Sequence, residues 1–83
     1  MKIKYFAWVR EHVGVAEEEI TLPQDITTVR DLLDWLKERG EGYGEALRHP
    51  DAIRVAIDQE HARHDDPIAG AAEIALFPPM TGG

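Results

Sequence analysis

Thr28-Val29-Arg30-Asp31-Leu32-Leu33-Asp34-Trp35-Leu36-Lys37-Glu38-Arg39-Gly40 is the one stretch of this chain with the period of a sizeable helix. Val29, Leu32, Leu33 and Leu36 recur at helical spacing and define one apolar face. Thr28 with Asp31 three residues on forms a capping pair, Asp being shorter than the preferred Glu. Gly40 supplies a C-terminal stop. Trp35 falls at the edge of the apolar stripe. Everything around this segment reads as strand or turn. A single amphipathic helix must bury its stripe against another layer, and a sheet is the only layer the pattern offers.

The strands lie on both sides of the helix. Residues 2–9 alternate, with Ile3, Tyr5, Ala7 and Val9 on one face and Lys2, Lys4, Phe6 and Trp8 on the other. Both faces become apolar toward the end of that segment, as in a central strand. Residues 10–13 form a short helical turn closed by Gly14. Residues 19–22 make a second strand stopped by Pro23. After the helix, residues 41–45 are loop-like and residues 45–49 a brief helical turn. Ile53, Val55 and Ile57 alternate as a third strand, Asp58-Gln59-Glu60 turn, and residues 61–64 make a short edge strand. Asp65-Asp66-Pro67 is turn chemistry. Residues 73–77 are the last strand, with Ile74 and Leu76 on one face and Ala75 and Phe77 on the other. Pro78-Pro79 then ends the pairing, because proline has no N–H to donate. The order predicts a two-layer α+β domain: a mixed sheet of about four to five strands with one main helix packed on one face. This fits a ubiquitin-like β-grasp. A ferredoxin-like arrangement would need two sizeable helices. The domain is expected over residues 1–79, with residues 80–83 a flexible Gly-Gly tail.

Composition narrows the chemistry. Eighty-three residues make one domain with a modest core. The hydrophobic fraction of 43% and charged fraction of 30% are those of an ordinary globular chain, and no apolar run is long enough for a membrane helix. The N-terminus lacks the apolar stretch of a signal peptide, so a cytoplasmic location is expected. The net charge of −7 disfavours nucleic acid and suits a basic protein partner. There is no cysteine and no serine. Disulfides, thiolate nucleophiles and Ser-His-Asp triads are therefore excluded within this chain.

The ending is the most specific motif. Ala75-Leu76-Phe77-Pro78-Pro79-Met80-Thr81-Gly82-Gly83 resembles the close of the molybdopterin synthase small subunits, the MoaD family of the MoaD/ThiS ubiquitin-like superfamily. The opening Tyr5-Phe6-Ala7-Trp8-Val9-Arg10-Glu11 with Gly14, and the turn Asp66-Pro67-Ile68, are similar to the same family. Ala69-Gly70-Ala71-Ala72 departs from it, because acidic residues around a glycine are common there; the change alters a turn and leaves the chemistry intact. The resemblance implies a sulfur carrier whose Gly83, after Gly82, is adenylated and converted to a thiocarboxylate. That group then donates sulfur to cyclic pyranopterin monophosphate, so that molybdopterin forms in molybdenum cofactor biosynthesis. It further implies three partners: the synthase large subunit in a heterotetramer, an E1-like adenylating enzyme using MgATP, and a sulfurtransferase system. No cofactor is expected to be bound to this chain, nor is catalysis by the chain alone; it is the sulfur-donating subunit of a sulfurtransferase complex. The residues themselves agree with such a tail. Glycines without Cβ can thread a narrow channel, and the prolines stiffen the exit from the sheet.

Other carriers share the Gly-Gly ending, in thiamine, tRNA-thiolation or cysteine biosynthesis, as do ubiquitin-like protein modifiers. The paired prolines and the opening segment favour the molybdopterin branch. A docking surface is expected from Phe6, Trp8, Arg10, Phe77, Pro78, Pro79, Met80 and Thr81, on the sheet face opposite the helix, with burial in the core as the alternative for Phe6. An exposed apolar patch of that size in so small a domain marks an interface. His61 and His64 are three apart, which on a strand sends them to opposite faces, so no metal site is expected. Glu17-Glu18-Glu19 reads as a solvated face. Gly40-Glu41-Gly42-Tyr43-Gly44 lacks the Lys and preceding strand of a phosphate loop and reads as a flexible connection.

Overall fold

The computed structural model describes residues 1–79. Strands β1 (Lys2–Tyr5), β2 (Glu17–Glu19), β3 (Arg54–Ile57), β4 (Glu60–Ala62) and β5 (Glu73–Phe77) form one mixed sheet in the order β2-β1-β5-β3-β4. The last strand lies at the centre, parallel to β1 and antiparallel to β3. Helix α2 (Val29–Lys37) covers one face, preceded in the chain by α1 (Ala7–Val13) and followed by α3 (Glu41–Ala46) and a 3₁₀ turn at Pro50–Ala52. This is the α+β, five-stranded sheet that the residue pattern predicts.

One buried cluster unites the layers. Val29, Leu32, Leu33 and Leu36 of α2 meet Ile3 and Tyr5 of β1, Val55 of β3, and Ile74 and Leu76 of β5. The helix starts where the sequence puts it. The Thr28 hydroxyl accepts from the Asp31 N–H at 3.2 Å, while the Asp31 carboxylate accepts from the Thr28 N–H, a complete capping box. Donation from the Thr27 backbone, then from its hydroxyl, holds the Asp31 carboxyl below its ordinary range, outweighing the small opposing effect of desolvation. Two further free amides of the first turn, Val29 and Arg30, donate to the carbonyls of Asp66 and His64. The loop before β5 is thereby tied to the helix.

The first strand is shorter than the alternation of residues 2–9 predicts. It ends at Tyr5, and residues 7–13 are helical. The switch occurs at Ala7, whose φ of 52° is left-handed. For alanine that conformation is costly and glycine would be the usual residue there, so the sequence carries no turn signal at this point. Val9 stays buried, but in α1; Trp8 and Arg10 leave the sheet with it. Gly14, with φ of 96°, closes α1 as expected.

The expected loop at residues 41–45 is also corrected: it is the body of α3. One of its glycines, Gly42, serves close packing. A Cβ on Gly42 would lie 2.2 Å from the carbonyl oxygen of His12 in α1, so only glycine allows the two helices this approach. The expected strands at residues 19–22 and 61–64 shift to Glu17–Glu19 and Glu60–Ala62. In the β3–β4 hairpin, Asp58 and Gln59 both take positive φ (49° and 73°), the geometry of the tightest hairpin loop.

Glu18 is not part of a solvated face. Its carboxylate accepts from the hydroxyls of Tyr5 and Tyr43, each at 2.6 Å, and pairs with Arg39 at 3.1 Å. Arg39 in turn stacks over Trp35 and Tyr43. Burial pushes the Glu18 carboxyl up, but donation from Tyr43, Tyr5 and Arg39 outweighs it and holds the group below its ordinary range. Burial, reinforced by Glu18, pushes the Tyr5 phenol far above the usual tyrosine range. The cluster joins β1, β2, α3 and the segment after α2 around one acid.

Candidate functional site: the outer sheet face and the tail exit

The pairing register assigns every strand residue to a face. Ile3, Tyr5, Ile74, Leu76 and Val55 point toward α2. Lys2, Lys4, Glu73, Ala75, Phe77, Arg54, Ala56 and His61 share the opposite, outer face. Phe6 continues that alternation. Its backbone is extended, and its N–H donates to the Leu76 carbonyl at 3.1 Å, so it lies beside Phe77 in the register.

The outer face has two halves. On the β2–β1 side, charges are paired: Lys2 with Glu17 at 3.3 Å, Lys4 with Glu73 at 3.2 Å, and the N-terminal ammonium with Glu19 at 3.0 Å. At the end where β5 leaves the sheet, the surface is aromatic and apolar. Phe6 is 46% exposed. Phe77 is half-buried, with the His61 ring packed edge-on at 5.8 Å, and Pro78 and Pro79 are half-buried beyond it. Ala75 is buried between the halves. Phe6 is therefore not core, and it shares a surface with Phe77 as the alternation predicts.

Trp8 does not share that surface by way of a strand. It projects from α1, 40% exposed, with the His12 ring edge-on at 6.2 Å. Arg10 is exposed on the same helix. Because β1 and β5 run parallel, α1 starts at the same end of the sheet as the tail. Trp8 and Arg10 thus belong to the rim of the tail exit. Met80, Thr81, Gly82 and Gly83 lie outside the described residues.

The two histidines have separate partners, and not by strand alternation, because His64 lies beyond the end of β4. His61 packs on Phe77, while the His64 Nε2 lies 2.8 Å from the Ile53 carbonyl. Among the described residues no three His, Cys, Asp or Glu side chains gather as a metal site, and no helix is long and apolar enough to cross a membrane. One feature has no counterpart in the sequence reading. A surface groove of about 390 Å³ opens beside the tail exit, lined by Asp51, Ile53, Arg54, Arg63, His64 and Pro79 among others. Only the pairing of β3 with β4 brings Arg54 and Arg63 together, and a strand boundary placed a residue or two late hides it.

The model of the ThiS family matches residues 3–83, nearly the whole chain, through the terminal glycines. The chain belongs to the ThiS family. Two curated relatives, the molybdopterin synthase sulfur carrier subunits of Escherichia coli and Haemophilus influenzae, are each 32% identical over 83 residues. Each alignment spans 100% of this chain and 99% of the relative. Among solved structures, the chain is similar to small archaeal modifier protein 1 of Haloferax volcanii, with a TM-score of 0.71 and 31% identity. That alignment covers 96% of this chain and 97% of the other. Gly82 and Gly83 lie three and four residues beyond Pro79, inside the matched span.

Proposed function

We propose that this ThiS-family chain is the sulfur carrier subunit of molybdopterin synthase. The observation that carries the proposal is the similarity to two such subunits over the whole length of this chain, Gly82-Gly83 included in the span. In this reading the Gly83 carboxylate attacks the α-phosphate of MgATP on an E1-like enzyme. Pyrophosphate leaves and an acyl-adenylate remains. A sulfur donor then displaces AMP, and Gly83 holds a thiocarboxylate. The tail enters the large synthase subunit and gives its sulfur to cyclic pyranopterin monophosphate, two transfers making one dithiolene. The complex is a heterotetramer of two carriers on a large-subunit dimer, in the cytoplasm.

The fold suits the task. The prolines at 78 and 79 leave the ladder without a donor, so the chain can depart from the sheet at that point. Phe6, Phe77 and the prolines offer an apolar footprint around the departure, with Trp8 and Arg10 at its rim. Exposed aromatic groups of this kind are the usual anchors of protein interfaces.

Reconstitution tests the assignment. The chain bearing a Gly83 thiocarboxylate, mixed with large subunit and precursor, should yield molybdopterin in proportion to the carrier. Removal of Gly83 should abolish product. No product from a verified thiocarboxylate and an active large subunit would overturn it. A second reading, a modifier joined to lysines of other proteins, is favoured by the structural similarity to small archaeal modifier protein 1. It expects Gly83-dependent ladders on a denaturing gel in place of molybdopterin.

A further inference from the structure

We propose that the groove beside the tail exit is a receptor for a carboxylate-bearing segment of the protein that takes up the tail, with Arg54 and Arg63 as its anion contacts. This rests on the sulfur-carrier reading for the identity of that protein.

The charge pattern is the first argument. The chain holds sixteen acidic residues against nine Lys and Arg, yet two arginines sit side by side here. Five of the nine are in ion pairs: Lys2, Lys4, Arg30, Arg39 and Arg48. Among the described residues the four basic side chains without such a pair are Arg10, Lys37, Arg54 and Arg63. Arg54 is the first residue of β3, and Val55 pairs with Ala62 of β4, so Arg63 stands opposite Arg54 one step beyond the last pair. Both are exposed and both line the groove. Like charges facing each other across strands are unfavourable unless an anion answers them. The acid in the groove, Asp51, is already engaged by Arg30 at 3.1 Å.

Position is the second argument. Arg54 pairs in register with Phe77, the aromatic of the outer face, and Pro79 forms part of the groove wall. The groove is thus continuous with the apolar footprint. A partner that covers Phe77 and accepts the tail must also cover Arg54 and Arg63. Burying two guanidinium groups without anions is strongly unfavourable, so a fitting partner supplies carboxylates there. Arginine's planar fork suits bidentate carboxylate binding.

Reach decides between a protein carboxylate and a substrate phosphate. Four residues span up to about 14 Å. A tail extended into a partner's active site therefore carries Gly83, and any phosphate it meets, well away from the groove. An anion at Arg54 and Arg63 during docking belongs to the partner's surface.

The test measures binding of the full chain to the synthase large subunit and to the activating enzyme, at low and high salt. Arg54→Glu with Arg63→Glu should weaken binding to at least one partner by tenfold or more and flatten its salt dependence. Arg54→Lys with Arg63→Lys, which keeps the charge and loses the fork, should keep the salt dependence and only part of the affinity. Lys37→Glu, a charge reversal elsewhere on the surface, should leave it intact. Thermal melts check that each variant folds. If wild type and the double Glu variant bind both partners equally, or if Lys37→Glu weakens binding as much, the inference is overturned while the carrier reading stands. If the double Glu variant shifts the titration of the Gly83 carboxylate in the isolated chain, the occupant is the chain's own terminus, and the inference is likewise overturned. Failure of the wild type to bind either protein overturns the carrier reading, and the inference with it.

Discussion

The two faces of the sheet are built on opposite terms. The inner face is closed at its centre: Ile3, Tyr5, Val55, Ile74 and Leu76 are buried with the apolar stripe of α2, and the half-buried acid beside them, Glu18, is answered by two hydroxyls and a guanidinium. The outer face is complete only on its β2–β1 side, where lysines and glutamates pair across strands. Around Phe77 it keeps aromatic rings, prolines and a pair of like charges in contact with water. Inner-face residues should thus govern stability, and residues at the tail exit should govern association.

Four substitutions test this contrast. The largest effect is expected for Phe77→Asp. Placing a charge in the apolar footprint should weaken binding to the large subunit by about 2 kcal/mol or more, read by calorimetry, while the melting temperature changes little. A protein that no longer folds would break the contrast. Gly42→Ala comes next. The added methyl meets the His12 carbonyl and must push α1 from α3, at about 1–3 kcal/mol in denaturant unfolding. Binding per folded molecule should be unchanged.

Glu18→Gln should cost about 1–3 kcal/mol, because two tyrosine hydroxyls and Arg39 lose a shared anionic acceptor. It also predicts a pH signature. The folded carboxyl titrates below its ordinary value of 4.5. Its contribution is therefore fully present above that value and is lost as pH falls through the folded pKa. Unfolding curves at pH 7 and below pH 4 should converge for wild type and variant at the acid end. A difference that persists there would assign the effect to packing instead of charge. Lys4→Ala should matter least. Its ion pair with Glu73 is partly exposed, and about 0–1 kcal/mol is at stake.

The core helix, its cap and the last strand were legible because each rests on a local pattern. Val29, Leu32, Leu33 and Leu36 have a period, Thr28 and Asp31 a spacing, and Pro78-Pro79 an unambiguous stop. What escaped depended on distant partners. Ala7 turns left-handed without a glycine to announce it, so β1 and α1 read as one long strand. Gly42 and Tyr43 look like loop residues until His12 and Glu18 are brought against them. At the candidate site, Phe77 and Phe6 were placed on the correct face by alternation. Trp8 was carried onto it by the overlong strand. The Arg54–Arg63 pair arises only from strand register, which a single sequence does not print.

The central position of β5 has a further consequence, for synthesis. Among the described strands it is the last in chain order, yet within the sheet it alone joins β1–β2 to β3–β4. A nascent chain stalled before residue 73 owns two separate two-stranded pairs, each marginal in water by itself. The sheet, and with it the surface around Phe77, comes into being in the same moment as the segment leading to the tail. A chain truncated before β5 should therefore lack both the sheet and the surface on which a partner would dock.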